Sequence, residues 1–193
     1  INPQDITNYI MRYYDPESHI FMDDYAYRYL DDTFSSGSYR YYTYSSMLEI
    51  NCYAILSLDL IDRLDLIDIQ DAIDFIWSCL NSENSTNGFI GQPYEPDLRY
   101  DFNLASMDNT YFAIYTLDLL MDDWAAYGVE KVRIVEFINS LQCTDSDLIR
   151  FGGFWNDRDE NHQSLEPMHY EPSLLSSFYC IKSLEILDLL DTI

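Results

Sequence analysis

The sequence predicts an all-α fold in which apolar inner helices alternate with amphipathic outer helices. Three observations predict it. Three segments align without gaps: CYAILSLDLI from Cys52, YFAIYTLDLL from Tyr111 and FYCIKSLEIL from Phe178, with starts 59 and then 67 residues apart. The first two are each followed by a second matching segment, Ile73 to Ser78 (IDFIWS) and Val135 to Ser140 (VEFINS). Each of those leads to a glycine-aromatic pair, Gly88-Phe89 and Gly153-Phe154. Recurrence of this kind marks stacked repeats, here of one apolar helix, one amphipathic helix and a Gly-Phe loop.

The elements follow in order. DITNYIMRYY, Asp5 to Tyr14, places Ile6, Tyr9, Ile10, Tyr13 and Tyr14 at helical spacing, and Asp15-Pro16 ends it. Ile6 to Met11 reads as the remnant of an earlier outer-helix copy. Residues 16 to 41 are polar and aromatic, with a loop at Ser35 to Ser38 and a helical turn or two expected in FMDDYAYRYLDD. Tyr44 to Leu60 is the first apolar helix. Asp65 marks a turn, and Asp68 caps an amphipathic helix, Ile69 to Leu80, with Asp71 in its first turn. Asn81 to Asp97, with Gly88, Gly91, Pro93 and Pro96, is a loop. Leu104 to Leu120 is the second apolar helix. Gly128 breaks the chain before a helix from Val129 to Gln142, whose stripe is Val132, Val135, Phe137, Ile138 and Leu141. Cys143 to Pro172 is a long polar loop. The last helix, Ser173 to Leu190, opens on Glu171-Pro172. It is apolar nearly all the way round, which predicts burial on every side.

At 193 residues the chain fits one domain, 1–193, able to bury a sizeable core. No apolar run is long enough to span a bilayer, and INPQDITNYI lacks the basic and apolar regions of a secretory signal. Ten basic residues against 34 acidic ones give a net charge of −24, which repels nucleic acid and anionic lipid surfaces. That charge suits a solvated acidic surface, a basic protein partner or a high-salt habitat. Cys52, Cys79, Cys143 and Cys180 are scattered with no CxxC pair. Three of them lie inside apolar helical runs and read as small buried hydrophobes, and the set suits a reduced, cytoplasmic protein.

The succession FINSLQ…GGF…EP…YCIKSLEIL, carried by Phe137 to Gln142, Gly152 to Phe154, Glu171-Pro172 and Phe178 to Leu187, resembles the repeat shared by protein prenyltransferase β subunits and squalene-type terpenoid cyclases. The likeness extends more weakly over Tyr42 to Phe89. It implies an α/α toroid whose inner helices surround an apolar cavity for isoprenoid chains. Three inner helices would make only a partial toroid with apolar inner edges, which leaves three readings: self-association or a partner subunit completing the ring, a piece of a longer toroid, or a capped arc. The resemblance also implies a zinc site of Asp, Cys and His. Its Asp-x-Cys-Tyr pattern falls on Ile50-Asn51-Cys52-Tyr53, and its histidine on Leu175-Ser176-Ser177. Only Cys52 matches, so neither a metal nor another cofactor is expected. The acidic motif of the cyclases is similar to Tyr29-Leu30-Asp31-Asp32, with Tyr29 in place of the first aspartate.

The resemblance places Tyr42, Tyr44, Ser45, Cys52, Tyr111, Ser176 and Phe178 near the inner-helix starts, facing the ring centre. They either line a pocket for a prenyl or other apolar chain or serve as plain core. Asn156 to His162, with Glu166, His169 and Glu171, is the densest group of ligand-type residues, but its spacing departs from a twelve-residue calcium loop. Asp23-Asp24 and Asp122-Asp123 are further acidic pairs, and Arg40 and Arg99 are the only cations suggestively placed for a diphosphate. Two functions stay open. One is a non-catalytic module that binds an apolar ligand or assembles with a protein. The other is a prenyltransferase- or cyclase-like enzyme completed by another subunit.

Overall fold

The computed structural model describes residues 2–22, 46–81, 87–97, 103–146, 150–157 and 172–190. Within them lie helices α1 (Pro3–Ile10), α2 (Met47–Asp59), α3 (Ile69–Ser78), α4 (Met107–Leu120), α5 (Gly128–Ser140) and α6 (Leu174–Ile186). A two-stranded hairpin, β1 (Tyr14–Asp15) and β2 (Ile20–Phe21), follows α1, with Tyr14 opposite Phe21.

Most helix starts are set by a side chain that accepts backbone N–H groups left without a partner in the first turn. Asn2 accepts from Gln4, and Asp68 from Gln70 and Asp71. Ser46 and Glu49 form a reciprocal capping box at α2, and Ser173 accepts from Ser176 at α6. Gly128 does not break the chain as expected; it is the first residue of α5.

α2, α4 and α6 form the inner layer, with α4 packed between the other two and α3 packed against α4. One buried cluster runs from Phe21 to Leu187. On α5 the buried stripe is Ile134, Phe137, Ile138 and Leu141, at i, i+3, i+4 and i+7. Val132, expected in that stripe, lies two residues from Ile134 and so on another side of the helix, in solvent.

The repeat is written in hydrogen bonds at three phenylalanines. Phe89 N–H donates to Thr110 Oγ1 at 3.0 Å, Phe154 N–H to Ser177 Oγ at 3.1 Å, and Phe21 N–H to Asn51 Oδ1 at 2.7 Å. Asn51, Thr110 and Ser177 occupy the same position of the aligned inner helices. The residue after each phenylalanine donates back to the end of the preceding outer element: Met22 to Tyr13 O, Ile90 to Cys79 O and Trp155 to Leu141 O. Phe21 therefore begins a first copy of the loop, which the sequence reading missed because Ile20 stands where the others have glycine. α1, which carries most of the outer-helix copy expected at Ile6 to Met11, is its outer helix.

Glycine is required in the other two copies by close approach. A Cβ on Gly88 would lie 2.6 Å from the Phe137 ring, and one on Gly153 2.7 Å from Pro172 Cβ.

These two glycine loops also join successive inner helices. The Gly91 carbonyl accepts from Leu48 N–H at 2.8 Å at the start of α2, while the Phe89 carbonyl accepts from Ser106 N–H at 3.2 Å at the start of α4. The next loop repeats this: the Asn156 carbonyl accepts from Met107 N–H at 2.7 Å, and the Phe154 carbonyl from Ser173 N–H at 3.2 Å.

A further expectation fails. α6 is not buried on all sides, because Leu174, Leu175, Phe178 and Ile181 are exposed. Composition shows that a helix is apolar, not whether every side of it has a neighbour.

Candidate functional site

The inner helices carry a second apolar surface on the side turned away from the core. On α4 the core takes Met107, Thr110, Ala113, Ile114 and Leu117. Asp108, Tyr111, Phe112 and Tyr115, at the helical spacing that forms one face, stay half-buried or exposed. Rings from the neighbouring helices join them. Tyr111 stacks on Tyr179 with centroids 4.4 Å apart and on Tyr115 at 5.9 Å, and meets Phe178 at 6.3 Å. Phe112 bridges the layer, with Tyr53 edge-on at 4.8 Å and Tyr179 at 5.8 Å.

Two carboxylates sit at the N-terminal end of this face. Glu49 Oε2 accepts from Ser46 N–H at 2.8 Å, and Tyr53 donates its hydroxyl to Glu49 Oε1 at 3.2 Å. Asp108 Oδ1 accepts from the Ser106 hydroxyl and from Asn109 N–H. Burial, and then the negative charge of Asp108, pushes the Glu49 carboxyl above its usual range. Burial and then the Glu49 charge push the Tyr53 phenol up, and burial followed by the Asp108 charge does the same to Tyr179. The end of the face is thus aromatic, partly dry and electronegative. Lys182, at the far side, is engaged by Glu185.

A pH test follows from Glu49. Its folded-state affinity for a proton exceeds the unfolded one, so ionising it costs stability as pH rises from the ordinary carboxylate range through the folded value. Glu49→Gln keeps one acceptor oxygen, for Ser46 N–H, and turns an amide N–H donor toward the Tyr53 hydroxyl oxygen, but removes the charge. The melting temperature of the variant is expected to gain on that of the parent as pH rises from about 4 to 7. A difference that stays flat across thermal melts in that range would contradict this.

Of the residues singled out in the sequence, Tyr111 and Phe178 come together on this face. Cys52 and Ser176 lie beneath it. Cys52 is fully buried, its thiol pushed up to about 12 by burial, and Ser176 is held by the Ser173 hydroxyl. Tyr42, Tyr44 and Ser45 lie outside the described residues, as do Arg40, Arg99, Asp23-Asp24 and the Tyr29 to Asp32 motif. The ligand-type loop is described only to Asp157. Its Asn156 caps α4, accepting from Asp108 N–H at 3.2 Å through its side chain. In the Asp122-Asp123 pair, Asp123 accepts from Ala125 N–H in a turn. All four cysteines are free and buried. The sequence reading missed Tyr53, Phe112 and Tyr179. The signal was present, since each directly follows an aligned position (Cys52, Tyr111, Phe178) and all three are aromatic.

The residues do not fit the zinc implied by the family pattern. The aspartate position is Ile50, a buried alkyl group; the histidine position is Ser176; and the Cys52 thiol is sealed and protonated. Among the described residues no three His, Cys, Asp or Glu side chains are grouped to hold a metal ion, and no helix is long and apolar enough to cross a membrane.

Curated proteins provide no match to the chain. A family model, the prenyltransferase alpha-alpha toroid domain, matches residues 21–164, about three quarters of the chain. The match begins at the Phe21 loop that starts the repeat and spans α2 to α5. With its inner and outer helices and thrice-repeated loop, this chain belongs to the prenyltransferase alpha-alpha toroid family.

Proposed function

We propose that the chain is a non-catalytic toroid module whose inner face holds an apolar group, such as an isoprenoid-like chain. The observation that carries this is the open aromatic face of α2, α4 and α6, from Tyr53 to Phe178, standing over positions that lack zinc-ligand chemistry. Contiguous exposed apolar surface rimmed by polar groups suits binding. A zinc site of this family would turn a bound thiol into a thiolate; of its ligand positions this chain keeps only Cys52, which is held as a buried thiol. Four unpaired buried cysteines suit a cytoplasmic setting.

The test is calorimetric titration with a prenyl alcohol and with the matching prenyl diphosphate, alongside metal analysis of the protein. The alcohol is expected to bind saturably and at least as well as the diphosphate, since an acidic face disfavours an anion. Phe178→Ala with Tyr115→Ala is expected to weaken it about tenfold, as loss of aromatic contacts does. Stoichiometric zinc together with turnover of the diphosphate would overturn the proposal in favour of an enzyme completed by another subunit. Absence of any binding would overturn it outright.

A further inference from the structure

The repeat lets the inner face be compared position by position. Tyr53, Phe112 and Tyr179 are one aligned set, and their rings meet across the layer, Tyr53 to Phe112 at 4.8 Å and Phe112 to Tyr179 at 5.8 Å. One helical turn earlier the aligned set is Glu49, Asp108 and Leu175. Residues four apart share a helix face. On α2 and α4 a carboxylate therefore stands beside the ring, and on α6 an exposed leucine does. The face has a direction: acidic over α2 and α4, and purely apolar over α6, where Leu175 and Phe178 are both exposed.

The acidic end lacks a counter-ion. Among the described residues neither Glu49 nor Asp108 has a cationic partner. Lys182 is the only basic residue in α2, α4 and α6, and Glu185 engages it. The donors that do reach the two carboxylates are neutral: Ser46 N–H and the Tyr53 hydroxyl at Glu49, and the Ser106 hydroxyl and Asn109 N–H at Asp108. Partly buried charge without an opposite partner costs stability that a cation would recover. The raised carboxyl of Glu49 agrees with that cost. The N–H groups that could receive an anion at a helix start are engaged. On α4, Asn156 takes Met107 N–H through its carbonyl and Asp108 N–H through its side chain, and Asp108 takes Asn109 N–H. On α2, the Gly91 carbonyl takes Leu48 N–H and the Ser46 hydroxyl takes Glu49 N–H.

We infer that the ligand of the inner face is an apolar chain ending in an ammonium head, with the head at Glu49, Asp108 and the rings of Tyr53 and Phe112, and the chain lying toward Leu175 and Phe178. The inference rests on the inner-face reading above and adds the charge and direction of what is held. Aromatic faces attract a cation, and the carboxylates supply its counter-charge where burial weakens screening. A diphosphate or carboxylate head would meet like charge at the same place.

The experiment is calorimetric titration with geranyltrimethylammonium and with geraniol, in about 0.15 M salt to screen distant charges. The two probes share a chain and differ in the head, and the quaternary head keeps its charge at every pH. The parent is expected to bind the ammonium about tenfold more tightly than the alcohol. In Glu49→Gln with Asp108→Asn that preference is expected to fall to near parity. Asp5→Asn with Glu130→Gln removes the same two charges from the outer helices α1 and α5 and is expected to keep it. Circular dichroism checks each fold. Should the paired inner-face variant unfold, Asp108→Asn alone makes the comparison, since its side-chain oxygen still accepts from Ser106 and Asn109, and it is expected to lose part of the preference. Parity in the parent would overturn the inference. So would a preference that survives the inner-face substitutions, or one that falls as far in the outer-helix control. Alcohol binding in any of those cases would leave the inner-face reading standing, whereas binding of neither probe would overturn both.

Discussion

Phe89→Ala is expected to cost about 3–5 kcal/mol, as buried Phe→Ala changes do, a large part of the 5–15 kcal/mol that holds a typical domain together. Phe89 is fully buried, its ring 5.8 Å from that of Trp77, and its main chain is hydrogen-bonded on both sides. The alanine keeps the backbone bonds to Thr110 and Ser106 but leaves a ring-sized void where α3, α4 and the loop meet. Denaturant unfolding measures the loss. A cost under about 1 kcal/mol, the level of a surface change, would mean that the site collapses freely or that the ring is not buried. Leu60→Ala, at an 84% exposed position, is the control that should leave stability unchanged.

Asn51→Ala removes polar contacts rather than volume. The Asn51 amide accepts from Phe21 N–H and donates to the carbonyls of Phe21 and Met47, and the residue is buried. Alanine leaves the two Phe21 backbone groups without partners. A stranded buried donor or acceptor costs about 1–3 kcal/mol, so a loss of about 2–6 kcal/mol is expected for the pair. Thr110→Val strands only Phe89 N–H and should cost less. Denaturation midpoints of the two variants give the comparison. If valine at 110 proved the costlier, the equivalence drawn between the first and second loops would be wrong.

Much of this architecture was legible in the sequence, and the reasons differ by element. The aligned segments from Cys52, Tyr111 and Phe178 are legible because an inner helix is apolar on most of its circumference, so drift in individual residues leaves the pattern. Asp68 was legible as a cap because its carboxylate answers a local need of the backbone. The first loop was not. In the later copies the signal is a glycine that Phe137 or Pro172 forces on the chain, and the first copy has Ile20 in that place. Hydropathy misread α6 as buried on every side, since it records what a side chain prefers and not whether its neighbour is there; the count of three inner helices is what pointed to apolar edges. For the site, Tyr111 and Phe178 were picked out but their partners Phe112 and Tyr179, one residue on, were not. The turn of the helix, more than residue type, decides which aromatic joins the ring contacts between the inner helices.

The loops that join successive inner helices at their starts carry a consequence for how the molecule comes apart. Releasing α4 from the layer severs main-chain links to the loop behind it and to the loop ahead of it, and the latter also anchors α6. The units are therefore stitched as well as stacked. A repeat array held only by side-chain contacts can fray from one end, a unit at a time; this one should let go of its middle and its last helix in a single step.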